Sequence, residues 1–184
     1  WFSPYADMFA LVAEGNHESA IRRHHETDLI ERFVTTLNYK NGTELTKGLY
    51  TGYVKFSFKK ASGRERQTPI VLNFTHGYGG GGPVTRGIIQ TNRKAVYLPD
   101  AQICVSGHIH ENWQISIPRE RMNPQGRLYL DEQEHICLPT YKEEYLAGEN
   151  YHRERGRPPK PLGAWWLRFY WENRKIKHEF IRAK

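Results

Sequence analysis

Three short apolar runs, each cut off by a loop bearing asparagine or histidine, constrain this 184-residue chain more than any other feature. Phe9-Ala10-Leu11-Val12-Ala13 stops at Glu14-Gly15-Asn16-His17. Pro69-Ile70-Val71-Leu72-Asn73-Phe74 delivers Thr75-His76 into Gly77-Tyr78 and the four glycines Gly79 to Gly82. Ala101-Gln102-Ile103-Cys104-Val105-Ser106 empties into Gly107-His108-Ile109-His110. Apolar runs of this length bounded by loop signals read as buried strands.

Between them the periodicity changes. Ile21, Leu29, Ile30, Phe33, Val34 and Leu37 recur at helical spacing, so a helix is expected from Ser19 to about Leu37, ending before Asn41-Gly42. Tyr50 to Lys59 alternates polar and apolar residues, the period of a strand with one wet face, and Ala61-Ser62-Gly63-Arg64 supplies a turn. Val84 to Lys94 is expected to hold a short helix. Strands are expected at Trp113 to Ile117, Arg127 to Tyr129 and His135 to Leu138. A polar connector follows over Tyr151 to Pro161, then a hairpin from Gly163 to Ile181 turning at Glu172-Asn173-Arg174-Lys175. The class is α/β with a strand-rich second half, read as one domain over 1–184.

Strand ends are where open α/β sheets build their sites. Imidazole nitrogen and amide oxygen suit zinc, manganese, iron or nickel, and two histidines at i and i+2 on a turn can address neighbouring metals. A single strand-end histidine is more often a hydrogen-bonded loop residue, so the weight rests on the joint pattern.

That pattern, Gly15-Asn16-His17-Glu18, then a strand ending in His76-Gly77, then one ending in Gly107-His108-Ile109-His110, resembles the calcineurin-like metallophosphoesterases. The resemblance implies a layered β-sandwich flanked by helices and a hydrolase acting on phosphoesters with two divalent metal ions. It implies that Asn16, His76 and His108 ligate one metal and His110 the other. It also implies that His17 contacts the substrate phosphate and helps protonate the leaving oxygen. Glu18 would hold that imidazole or orient the loop, and Arg22 and Arg23, with His24 and His25, would steer a phosphodiester or lie on a solvated helix face.

The chain departs from the family upstream. Neither Asp-x-His nor Gly-Asp-x-x-Asp is present, so the aspartate that bridges both metals has no counterpart here. The resemblance therefore covers the carboxyl-terminal part of the domain. The chain is expected to start inside a longer protein and to be inactive as this stretch alone; a degenerate relative that lost its metals and serves as a binding scaffold is the rival from another class. A mononuclear histidine site is a third.

Net charge is +7, which suits a polyanionic substrate such as nucleic acid or a nucleotide and orders a nuclease or nucleotide phosphodiesterase ahead of a protein or small-molecule phosphatase. No apolar run approaches the roughly 18 to 20 residues that span a bilayer, and the first residues lack the features of a secretory signal. Cys104 and Cys137 each sit in an apolar stretch and are expected as buried thiols rather than a disulfide, in keeping with the cytoplasm. His135, His152 and His178 belong to no motif and read as structural or surface residues; the tryptophans Trp113, Trp165, Trp166 and Trp171 read as sheet packing.

Overall fold

The computed structural model describes residues 1–59, 68–80, 82, 84–143, 145–146 and 151–183 of the chain. The turn expected at Ala61 to Arg64, and Gly81 of the glycine run, lie outside the described residues. The class is mixed α/β, as the sequence predicts, and the chain forms two compact units. One is Trp1–Gly52 with Phe74–His76, the other Tyr53–Asn73 with Gly77–Lys184.

The first unit opens with a 3-10 helix, Ser3–Met8, followed by β1 (Leu11–Ala13), α1 (Asn16–His25), α2 (Leu29–Asn41) and β2 (Thr46–Gly48). The single helix expected from Ser19 to Leu37 is therefore two. No apolar residue occupies positions 22 to 28, so the buried stripe lapses there. Glu26 turns left-handed at φ 51°, and Asp28 starts afresh by accepting the Glu31 amide at 2.8 Å. Lys47 anchors the same carboxylate at 2.5 Å. β1 and β2 pair in parallel, Leu11 opposite Thr46 and Ala13 opposite Gly48. Ala6, Val34, Leu37 and Leu45 form the core, with Phe9, Val12, Ile30 and Phe33 packed against it.

The second unit carries most of a five-stranded mixed sheet of order β3-β4-β5-β7-β6, built from β3 (Thr51–Phe56), β4 (Ile70–Thr75), β5 (Ile103–Ser106), β6 (Trp113–Met122) and β7 (Leu128–Cys137). β5 runs parallel to β7, and β6 antiparallel to it. The strands expected at Arg127–Tyr129 and His135–Leu138 are one continuous strand, and that expected at Trp113–Ile117 runs on to Met122. Their polar middles, Arg119 and Asp131, hid this continuity: they face each other in register and join in a two-pronged ion pair at 2.9 Å. α3 spans Ile89–Tyr97, later than expected, and the polar connector contains one turn of helix, α4 (Tyr151–Glu154). β8 (Ala164–Glu172) and β9 (Lys175–Ala183) form the expected hairpin, its Asn173 and Arg174 at positive φ as a tight two-residue turn requires. Phe169 of β8 meets Phe56 of β3 at a tilt and Phe58 edge-on, with ring centroids 4.7 and 5.1 Å away. Trp165 packs edge-on against Phe180, while Trp166 and Trp171 remain largely exposed.

Ile103, Cys104, Ile136 and Cys137 are the heart of this sheet, each at most 2 % exposed. Both cysteines are free thiols, pushed up to about 11 by burial, which keeps them protonated and inert at neutral pH. Among these apolar residues lie two fully buried polar ones. Gln133 donates to the carbonyls of Leu98 and Ala101, both at 2.8 Å, and its amide oxygen meets His135 Nε2 at 2.9 Å. Burial pushes the His135 imidazole down to about 4.

Below about pH 6.5 the unfolded chain takes up a proton on His135 that the folded chain refuses until about pH 4, so stability falls as pH drops through that window. The full effect is on the order of 3 kcal/mol. Urea unfolding is expected to show a lower midpoint at about pH 5 than at about pH 7, and His135→Asn is expected to flatten much of that difference.

Candidate functional site

The first cluster lies in the first unit, where β1 gives way to α1. Gly15 is the N-cap of α1 and has no side chain with which to cap. Glu18 reaches back instead, its Oε2 accepting the Gly15 amide at 2.9 Å. Glu18 therefore orients the loop, one of the two roles the sequence left open for it. Asn16 and His17 consequently occupy the first turn of a helix. His17 is exposed, while Asn16 turns inward so that its Oδ1 lies 2.9 Å from Nε2 of His76.

His76 arrives from the end of β4. Its amide donates to the Tyr50 carbonyl at 2.8 Å, and the Tyr50 ring meets the imidazole edge-on at 5.3 Å. Gly15 also lies close to the ring: a β-carbon there would come within 2.9 Å of His76 Cε1 and of Glu18 Oε2. Glycine at this position thus lets the imidazole come close to the loop that carries Asn16.

Arg22 faces inward. Its Nε and Nη2 clasp Glu14 at 3.1 and 2.8 Å, and Glu14 is only 3 % exposed. The clasp ties α1 to the end of β1, so this guanidinium has structural work besides any contact with a substrate. Arg23 donates Nε to the Ser19 carbonyl at 3.2 Å on its own helix and remains exposed, as do His24 and His25.

The second cluster is the loop after β5 in the second unit. His108 and His110 both adopt left-handed backbone, at φ 68° and 53°, a conformation uncommon outside glycine. Between them the Ile109 amide closes a tight turn onto the Gly107 carbonyl at 2.8 Å. Gly77, at φ 96°, lies against the same carbonyl, and a β-carbon on it would sit 2.7 Å from that oxygen. Beyond the loop Glu111 is fixed by Lys160 of the connector at 2.5 Å.

The donor set suits a divalent metal in part. Donor atoms about 2.0 to 2.2 Å from one metal, at adjacent tetrahedral or octahedral positions, are about 2.9 to 3.5 Å apart, and Asn16 Oδ1 and His76 Nε2 meet that spacing at 2.9 Å. The neighbouring carboxylates Glu14 and Glu18 are engaged by Arg22 and by the Gly15 amide. Among the described residues no three His, Cys, Asp or Glu side chains gather as a metal-holding group. The chain matches no family model, no curated protein and no solved structure. Among the described residues no helix is long and apolar enough to cross a membrane.

Sequence reading passed over Glu14 and Tyr50. Glu14 carried a signal, an acid set directly after an apolar run; Tyr50 looked like any other strand aromatic. Gly15→Ala is expected to push His76 away from Asn16 and to cost about 1–3 kcal/mol of stability through overpacking. Urea unfolding reads the energy, and an altered His76 Nε2 resonance in NMR reads the displaced ring.

Proposed function

We propose that this chain is the histidine-rich part of a metal-dependent phosphoesterase, with the layered fold of the calcineurin-like enzymes, in which Asn16, His76, His108 and His110 are the protein's metal ligands. The observation that carries the reading is the approach of Asn16 Oδ1 to His76 Nε2, an amide oxygen and an imidazole nitrogen brought together from residues 60 apart in sequence. Two divalent ions would supply Lewis-acid polarisation of the phosphoryl group and activation of water.

The chain's own residues would do the rest. His17, exposed on the first turn of α1, would donate a hydrogen bond to a phosphoryl oxygen and pass its proton to the leaving oxygen. The amino end of α1 adds the partial positive charge of its unpaired amides to the same neighbourhood. Tyr50 and Gly15 hold the His76 ring, and the Glu14–Arg22 clasp holds the helix start. The net charge of +7 favours a polyanion, placing nucleotide or nucleic-acid phosphodiesters first among substrates.

The protein expressed from its whole reading frame is expected to hydrolyse bis(p-nitrophenyl) phosphate with added manganese, and to lose that activity in chelator. His17→Ala is expected to lower kcat by about 10²- to 10⁴-fold. His76→Ala is expected to weaken manganese binding, read by calorimetry. Hydrolysis of the monoester p-nitrophenyl phosphate alone would make the enzyme a phosphomonoesterase. No manganese binding and no hydrolysis of either ester would leave a binding domain in place of an enzyme.

A further inference from the structure

Lys94 is a lysine placed where lysines are rarely found. It lies on α3 in the second unit and is 7 % exposed, yet no carboxylate among the described residues pairs with it. The groups that do act on it are Tyr78 and the two buried thiols Cys104 and Cys137, and burial keeps both thiols protonated at neutral pH. A buried ammonium without a counter-charge is strongly unfavourable, so natural proteins supply one or let the amine lose its proton. Burial does push the Lys94 amine below its ordinary value.

Lys94 lines a cavity of about 180 Å³, walled by Gly77, Gly79, Thr91, Gly107 and Trp113 among others. That volume is below the roughly 300 to 1,000 Å³ of drug-sized ligand sites, so the occupant is small. Most polar groups of the wall are already committed. Thr91 Oγ1 donates to the Ile88 carbonyl at 2.8 Å and Trp113 Nε1 to the Arg86 carbonyl at 3.0 Å. The donors left over include the Lys94 amine, the Thr85 and Gln90 side chains, and the amides of Gly79 and Gly80, which make no main-chain hydrogen bond among the described residues. A β-carbon added at either glycine would meet nothing within 4 Å, so open space adjoins their backbone.

We infer that this cavity is a subsite for the phosphate group of a small ligand, with Lys94 as the counter-charge and the amides of Gly79 and Gly80 as further donors. A tetrahedral anion offers several acceptor oxygens at once, which matches an ammonium and a run of glycine amides better than a planar carboxylate does. Binding there needs neither a metal nor turnover, so it is tested separately from the phosphoesterase reading, although Gly77, Gly107 and Ile109 of the wall are sequence neighbours of His76, His108 and His110.

The test is calorimetric titration of the protein in EDTA with inorganic phosphate, ribose 5-phosphate and acetate. Saturable binding of a phosphate ligand is expected, with acetate much weaker, and Lys94→Met is expected to weaken phosphate binding at least tenfold. Tighter binding of the sugar phosphate than of free phosphate would identify an ester as the occupant; the reverse would identify the free ion. Equal affinity of Lys94→Met and the unaltered protein, acetate binding as tightly as phosphate, or no saturable binding would each overturn the inference. Should Lys94→Met fail to fold, the amide resonances of Gly79 and Gly80 in the unaltered protein decide. They are expected to shift on phosphate addition, and shifts confined to other residues overturn the inference. A failure to hydrolyse esters bears only on the phosphoesterase reading, because these titrations involve no hydrolysis.

Discussion

Two main chains that touch without a side chain between them govern the second unit. Gly77 follows β4, Gly107 follows β5, and the Gly107 carbonyl occupies the place a β-carbon on Gly77 would take. The strands lie side by side from their beginnings, where Val71 O accepts the Gln102 amide at 2.9 Å, to this point beyond their ends. Their exit loops therefore start from neighbouring positions. One carries glycines 79, 80 and 82 and the other His108 and His110, so a residue larger than glycine at position 77 would disturb both.

The first unit solves a comparable problem differently. Two of its carboxylates are committed locally: Glu18 caps the amide of Gly15, and Glu14 is clasped by the Arg22 guanidinium. With these two engaged, Asn16 and His76 are left facing each other. Tyr50 and Gly15 both pack close to the imidazole.

Much of this was legible in the chain. Alternation from Tyr53 to Lys59, the tight turn at Asn173-Arg174 and the burial of Cys104 and Cys137 follow from period, turn chemistry and apolar context. The motifs around Asn16, His76 and His108 also fall at strand ends, as their positions after apolar runs suggested. The break at Glu26-Thr27-Asp28 was harder to see, because hydrophobic spacing resumes after it in a compatible phase. The length of β6 and β7 was hidden by charged residues that pair across strands rather than face water alone. Gln133, His135 and Lys94 carry no local sign of burial, since their environments come from strands and loops distant in sequence. Even the Asn16–His76 contact depends on a side chain Gly15 does not have, which no periodicity reports.

β6 is the outer strand of the sheet, paired to β7 along its whole length, with Pro118 at its middle opposite Glu132. Proline is tolerated in a ladder only where its missing N–H faces outward. The outward rim of β6 is thereby interrupted halfway along, next to the charged run Arg119, Glu120 and Arg121. A second chain approaching that rim as a new strand would find no continuous row of donors to bind. That edge of the sheet thus carries its own stop against growing from molecule to molecule, which matters for a protein with so many strand-forming aromatics.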